Sequence, residues 1–420
     1  MTNPETTTDR FEPRSPAMKT LVERGYINQA TDLASIDAAF NASIVPVYAG
    51  FDATADSLHV GHLLPIMALR RLQQAGNKPI VLIGGGTTRI GDPSFRSDVR
   101  PMLTDEQIAN NVVGIRKVFD RLLVFGDGPT DAMMVNNADW LDCIRWLDVL
   151  RDVGRHFSVN RMLSFDSVKS RLEKQENLSF LEFNYMILQA FDFLELSRRT
   201  GCRLQMGGAD QWGNIINGID LVRRADGQDV FGMTVPLLTT SSGVKMGKTT
   251  AGAVWLNEDR LSPYNYWQFW RNTEDADVVK FLKLFTDLPI DEIKRLGQAR
   301  GAELNVVKEL LANQATGLAH GTRAAMESAA TARQTFGQGE VAEGLPTIEL
   351  EETERSLGIA IVDLLVRAGL SSSKSEARRA IEGRGVRING EIVVELEMMV
   401  SAQALPARLS LGRKRHAVIK

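Results

Sequence analysis

The chain has 420 residues, 44 % hydrophobic and 24 % charged, an ordinary globular composition that excludes collagen-like and wholly disordered material and is long enough for two or three domains. Net charge is -3, yet residues 357–420 carry 11 Lys and Arg against 6 Asp and Glu, a net of +5, which leaves -3 - 5 = -8 elsewhere, so an acidic average conceals a basic module. Cys143 and Cys202 fit no zinc or redox spacing. No stretch approaches the roughly 18 apolar residues of a membrane span, and no signal core precedes the first domain. The simplest location is the cytoplasm.

Residues 1–16 are rich in Thr, Pro and charge and read as a mobile arm, and Glu5, Asp9 and Glu12 argue against an organelle transit peptide. Residues 17–236 alternate short apolar runs with helix-length amphipathic stretches, the pattern of a parallel-sheet α/β domain. Within it, Tyr48 to His62 leaves an apolar strand and enters a helix expected over Leu63–Gln74. His59 and His62, three apart on a first helical turn, share a face beside unpaired backbone N–H groups, a geometry suited to phosphate. Simple helix capping is the plainer reading of two histidines so spaced. Metal binding ranks below both, because a zinc helix spaces its histidines by four around a glutamate.

The run Gly84-Gly85-Gly86 after a strand at 80–83, followed by Gly91-Asp92-Pro93, adds a second glycine-rich junction where open α/β sheets bind ligands. On a helix expected over Phe180–Arg198, Tyr185, Gln189 and Asp192 fall at i, i+4 and i+7, a polar stripe among apolar neighbours. Such a stripe needs hydrogen-bond partners, either backbone or a small polar ligand. A strand expected over Cys202–Met206 leads into Gly207-Gly208-Ala209-Asp210-Gln211, where a carboxylate suits ribose hydroxyls.

Residues 237–263 form a connecting region containing Lys245-Met246-Gly247-Lys248-Thr249, two lysines able to converge on one polyphosphate. A P-loop is excluded, since Ser242 stands where its first glycine belongs and Ala251–Leu256 reads as strand rather than helix. Residues 264–336 show helical periodicity. Residues 337–356, with six glutamates and one arginine, read as a solvated linker. In 357–420, a capped helix Lys374–Glu382 and an Asn389-Gly390 hairpin between Val386–Ile388 and Glu391–Val394 form a small α/β unit. Lys374, Arg378, Arg379, Arg384 and Arg387, with Arg413–Arg415, give it a surface suited to a phosphate backbone.

Taken together, His59-Val60-Gly61-His62 resembles the HIGH motif, and Lys245–Thr249 the KMSKS loop, of class I aminoacyl-tRNA synthetases. Tyr48 through Leu63, Gly207 through Asn214 and the Tyr185/Gln189/Asp192 set resemble the bacterial tyrosyl-tRNA synthetases within that class, over nearly the whole chain after the arm. Gly247 and Thr249 depart from the general motif, which has serines there. The resemblance implies a Rossmann-type catalytic domain, an all-helical anticodon-side domain, a small C-terminal RNA-binding domain and a homodimer. It implies ATP-dependent activation of L-tyrosine, with Mg²⁺ entering on ATP and no dedicated protein metal site, followed by transfer to tRNA(Tyr).

By the same resemblance Thr54, His59, Lys245, Lys248 and Thr249 would hold the polyphosphate, His62 would support the loop and nucleotide, Asp210 and Gly207 would hold ribose, and Gly50 and Asp52 would complete the ATP site. Tyr48 and Asp192 would grip the substrate phenol, Asp92, Tyr185 and Gln189 its ammonium, and Gln211 would lie beside its carboxylate. The small basic domain resembles one shared with a ribosomal small-subunit protein. A nucleotidyltransferase can share the His-x-Gly-His turn but gives no reason for an RNA module. A non-catalytic RNA-binding relative would be expected to have lost the paired histidines and lysines. Tryptophanyl synthetases are the nearest enzyme relatives, and the Tyr48/Asp192 pair argues against them.

Overall fold

The computed structural model describes residues 11–92, 103–243, 246–249, 252–337, 345–401, 405–412 and 415–420. The chain divides into two compact units, Met1–Leu238 and Thr239–Lys420.

The first unit is built on strands β1 (Gln29–Ala30), β2 (Pro46–Phe51), β3 (Lys78–Ile83), β4 (Met133–Asn136), β5 (Leu204–Gly208) and β6 (Phe231–Val235), in the order β1-β6-β5-β2-β3-β4. All neighbours are parallel except β1 against β6. Val47, Tyr48, Ala49 and Ile80–Ile83 are buried, as expected of strands covered on both faces. From β2 the chain steps outward through β3 and β4, then returns to place β5 on the other side of β2. That reversal makes the carboxyl ends of β2 and β5 a topological switch point, where open α/β sheets hold their ligands.

The helices that frame this edge are α1 (Pro16–Arg24), α2 (Leu33–Ala42), α3 (Val60–Gln74), α4 (Asp105–Leu122), α5 (Phe180–Thr200) and α6 (Trp212–Asp226). Helix α5 begins with a capping box, Ser179 Oγ accepting from Glu182 N and Glu182 Oε2 from Ser179 N, and ends at Gly201 in the left-handed region (φ 66°). It extends two residues past the expected end. The strand expected over Cys202–Met206 is shifted to Leu204–Gly208.

Residues 14–16 do not belong to the expected mobile arm. The backbone N–H groups of Arg14 and Ser15 both donate to the Asp37 carboxylate at 2.8 Å, and buried Ser15 caps α1. A carboxylate already holding two N–H donors pins this segment. Residues 1–10 lie outside the described residues.

In the second unit, residues 263–337 are helical, with Trp267, Trp270, Phe281 and Phe285 buried in an aromatic core. The strand expected over 251–256 reduces to Gly252–Ala253, paired with Lys248–Thr249. Val254 and Leu256 are buried from irregular backbone, so their apolarity signals packing and not strand.

The C-terminal part holds a sheet ordered Glu391–Ile392, Val386–Ile388, Ala407–Leu411, Arg415–Ile419, Thr347–Ile348. Helix Lys374–Glu382 has the expected bounds, and the hairpin turns through Asn389 (φ 50°) and Gly390 (φ 92°). The linker reading of 337–356 is corrected here. Thr347–Ile348 pairs in parallel with Val418 and Ile419, Leu345, Ile348 and Leu350 are buried, and Glu352–Leu357 is a helix. Glu349 lies between the buried Ile348 and Leu350 that anchor the segment. Residues 338–344 lie outside the described residues.

Candidate active site

The three carboxyl ends nearest the switch point supply the site. Beyond β2, His59 is the N-cap of α3: its Nδ1 accepts from Gly61 N at 3.0 Å, while His62 Nδ1 accepts from His59 N at 3.3 Å. The rings lie 4.0 Å apart. The capping reading therefore holds, and it is compatible with phosphate binding. With Nδ1 accepting, a neutral imidazole carries its proton on Nε2. Thr54 is exposed on the loop before them.

Asp52 accepts from Thr87 Oγ1 at 3.0 Å and from Tyr185 Oη at 3.4 Å. Thr87 follows the glycine run, and Gly84 gives both side chains room: a β-carbon there would lie 2.4 Å from Asp52 Oδ1 and 2.5 Å from Thr87 Oγ1 and would displace them. Tyr185, expected at the substrate ammonium, is thus tied to the residue expected at the nucleotide. Gly50 is exposed on β2.

At the sheet interior, Tyr48 is 1 % exposed and its hydroxyl finds no hydrogen-bond partner among the described residues. Burial pushes this phenol well above its ordinary pKa, and the nearby Asp192 carboxylate adds to the rise. Asp192 accepts from Trp140 Nε1 at 2.8 Å and Asn137 Nδ2 at 2.9 Å. Burial raises its pKa to about 7 against the pull of those two donors. Asn137 also accepts from Gly86 N at 2.8 Å and donates to Thr87 Oγ1 at 3.0 Å. Asn137 and Trp140 are partners of Asp192 that sequence reasoning missed. They follow the short strand β4, Asn137 as the N-cap residue and Trp140 within the helix Ala138–Leu141, a single turn too short to give a periodic signal.

Across the site, Gln211 Nε2 donates to Asp92 Oδ2 at 2.7 Å, and Asn214 Nδ2 lies 3.0 Å from Gln189 Oε1 and 3.2 Å from Gln211 Oε1. One polar chain therefore joins Asp92, Gln211, Asn214 and Gln189, with Asn214 the unforeseen link. Gly207 leaves room for it, since a β-carbon there would lie 2.9 Å from Gln211 Cβ, while one at Gly208 would lie 2.5 Å from Asp210 Oδ1. Asp210 itself is exposed at the rim.

Of the lysine loop, Lys245 lies outside the described residues. Lys248 and Thr249 are described by backbone alone, in the short ribbon with Gly252–Ala253. On the basic domain, Arg378, Arg379, Arg384 and Arg387 are exposed, while Lys374 pairs with Asp363 at 2.5 Å. Arg415 reaches Glu376 at 3.4 Å, and Arg413 and Lys414 lie outside the described residues. Among the described residues, no group of three or more His, Cys, Asp or Glu is placed to hold a metal ion, and no helix is long and apolar enough to cross a membrane.

Residues 42–337 match the family model of class I tRNA synthetases (W and Y), and residues 338–411 the tyrosine–tRNA ligase SYY-like C-terminal domain. The chain is similar to the tyrosine–tRNA ligase of Dinoroseobacter shibae, 58 % identical over 98 % of this chain and 99 % of that one. It is also similar to the tyrosine–tRNA ligase of Zymomonas mobilis, 58 % identical over 97 % and 98 %. Among solved structures, a C-terminally truncated Aspergillus nidulans mitochondrial tyrosyl-tRNA synthetase superposes with a TM-score of 0.70 and 32 % identity, covering 77 % of this chain and 95 % of that one. The chain belongs to the class I tRNA synthetases, and within them to the tyrosine–tRNA ligases.

Proposed function

We propose that the switch-point site of the first unit binds L-tyrosine and ATP, that the tyrosine carboxylate attacks the α-phosphate to release pyrophosphate, and that a terminal ribose hydroxyl of tRNA(Tyr) then takes the tyrosyl group. The observation that carries this reading is the pair Tyr48 and Asp192. One buried hydroxyl lacks a partner, and beside it a buried carboxylate is held in place by Asn137 and Trp140. A phenol O–H can donate to Asp192 and accept from Tyr48, satisfying both.

The attacking carboxylate is already ionised and needs no general base, so the work left to the protein is positioning and charge stabilisation. Asp92, Gln189 and Tyr185 suit the ammonium, and Gln211 the carboxylate. Asp210 and Gly207 suit ribose, with Gly50 and Asp52 beside the nucleotide. Thr54 and His59 serve the phosphates, and His62 supports the loop and nucleotide. Lys245, Lys248 and Thr249 are assigned pyrophosphate by their motif. Mg²⁺ enters on ATP, neutralising its phosphates. Arg378, Arg379, Arg384, Arg387 and Lys374 take the tRNA backbone. ATP–pyrophosphate exchange across the twenty amino acids tests the substrate: tyrosine alone should support it, and exchange with another amino acid in its place would overturn the reading.

A homodimer belongs to the same proposal. Trp146 (55 % exposed), Leu147 (75 %) and Phe180 (71 %) leave apolar surface uncovered on the first unit, and Trp146 and Phe180 meet edge to face at 6.4 Å. Apolar patches of this kind mark association surfaces. Phe180→Glu should shift the sedimentation coefficient to that of a monomer.

A further inference from the structure

We propose that helix α4 positions the phosphate loop, with Asn111 and Gly114 as the positioning residues; the proposal rests on the reading of Thr54 as a phosphate ligand. The loop of residues 52–59 carries Thr54 and ends on the histidine cap of α3. Such a segment has no ladder of its own to fix it, so its backbone must be held by neighbours. Ala53 is held through both its polar backbone atoms. Its N–H donates to Thr88 Oγ1 at 2.8 Å, and its carbonyl accepts from Asn111 Nδ2 at 2.7 Å.

Three residues further along α4, on the same face, Gly114 admits the Asp56 carbonyl. A β-carbon there would lie 2.0 Å from Asp56 O and 2.8 Å from Asp56 C, both backbone atoms that cannot swing aside. The two anchors therefore bracket Thr54. Glycine inside an 18-residue helix is a poor choice for the helix itself, which points to the close approach as its reason.

The scaffold is firm. A Thr104/Gln107 capping box starts α4, Ile108, Ile115, Val118 and Phe119 are buried, and Phe119 meets Phe51 at the end of β2 edge to face at 5.0 Å. A displaced loop would misplace Thr54 against the charge that develops on the phosphates, while Tyr48, Gln189 and Asp192 stand on other elements. The signature is a loss in kcat for tyrosine activation with tyrosine affinity kept.

The test compares wild type, Thr54→Ala, Asn111→Asp and Gly114→Ala in pyrophosphate exchange and in equilibrium tyrosine binding. Asn111→Asp is near-isosteric, but an ionised carboxylate cannot donate to the Ala53 carbonyl. Both Asn111→Asp and Gly114→Ala should lower kcat more than fivefold with the tyrosine Kd within twofold of wild type. A smaller loss in kcat, or a tyrosine affinity that falls in step with it in Asn111→Asp, overturns the proposal. If Gly114→Ala does not fold, Asn111→Asp decides. Thr54→Ala at the wild-type rate would sink the reading of Thr54, whereas a slow Thr54→Ala beside fast Asn111→Asp and Gly114→Ala would sink the brace alone.

Discussion

Tyr48→Phe should have opposite effects on the stability of the free enzyme and on its use of tyrosine. The ring packs against Phe193 with centroids 5.3 Å apart, a contact that phenylalanine keeps. The oxygen removed is a buried hydroxyl without a partner among the described residues. An unsatisfied buried polar group costs about 1–3 kcal/mol, so its removal leaves the free enzyme unchanged or more stable by up to that amount. Most buried Tyr→Phe changes break a hydrogen bond and have the reverse sign.

Tyrosine binding runs the other way, because the substrate phenol loses a partner. Phenylalanine gains relative to tyrosine, since it no longer strands the Tyr48 hydroxyl. A change of about 1–3 kcal/mol narrows the tyrosine-to-phenylalanine ratio of kcat/KM roughly five- to 150-fold. Thermal melts without substrate, paired with pyrophosphate exchange on both amino acids, measure both halves. A lowered melting temperature together with an unchanged ratio would show that the hydroxyl is a structural group bonded elsewhere.

Asp192→Asn should flatten part of the pH dependence of stability. With its pKa raised to about 7, the folded protein keeps a proton that the unfolded chain releases from about pH 4 upward, so stability falls as pH rises through that window and levels off above 7. A shift of roughly 3 units corresponds to at most about 4 kcal/mol. Denaturation of wild type and variant at pH 5 and pH 8 should show the variant gaining on wild type at pH 8, and parallel slopes would refute the assignment. Lys248→Ala should slow adenylate formation at least about tenfold while leaving tyrosine affinity near wild type, because its charge matters most as the phosphate reacts. An unchanged rate constant in rapid-mixing experiments would remove it from the site. A chain ending at Gly337 should activate tyrosine yet charge tRNA poorly, having lost the basic domain. Charging at the wild-type rate would show that the RNA anchor lies elsewhere.

What the sequence discloses divides along the reach of the interactions. Tyr185, Gln189 and Asp192 are legible because one helix period sets them on one stripe, and His59 and His62 because a single turn does the same. Asn137 and Trp140 are not legible, for they hold Asp192 from more than fifty positions away, and nothing local distinguishes them from any asparagine and tryptophan. Composition misleads at 345–357. There, glutamates dominate the average, while Leu345, Ile348 and Leu350, three residues in thirteen, decide the outcome by burial. The Gly114 contact is invisible in the same way, since sequence records a weak helix former but not the carbonyl that requires it.

The parallel pairing of Thr347–Ile348 with Val418 and Ile419 also bears on how the chain is made. A ribosome delivers residues 345–350 early, but the strand that completes their hydrogen bonding emerges only after the helices Glu352–Leu357, Ile361–Arg367 and Lys374–Glu382 and the hairpin have been synthesised. During that interval Leu345, Ile348 and Leu350 remain without their final cover, exposed to whatever chaperone or neighbouring nascent chain is at hand. Stop codons or frameshifts that remove residues 415–419 would leave this delay permanent, and the resulting polypeptides should be found chiefly in the insoluble fraction.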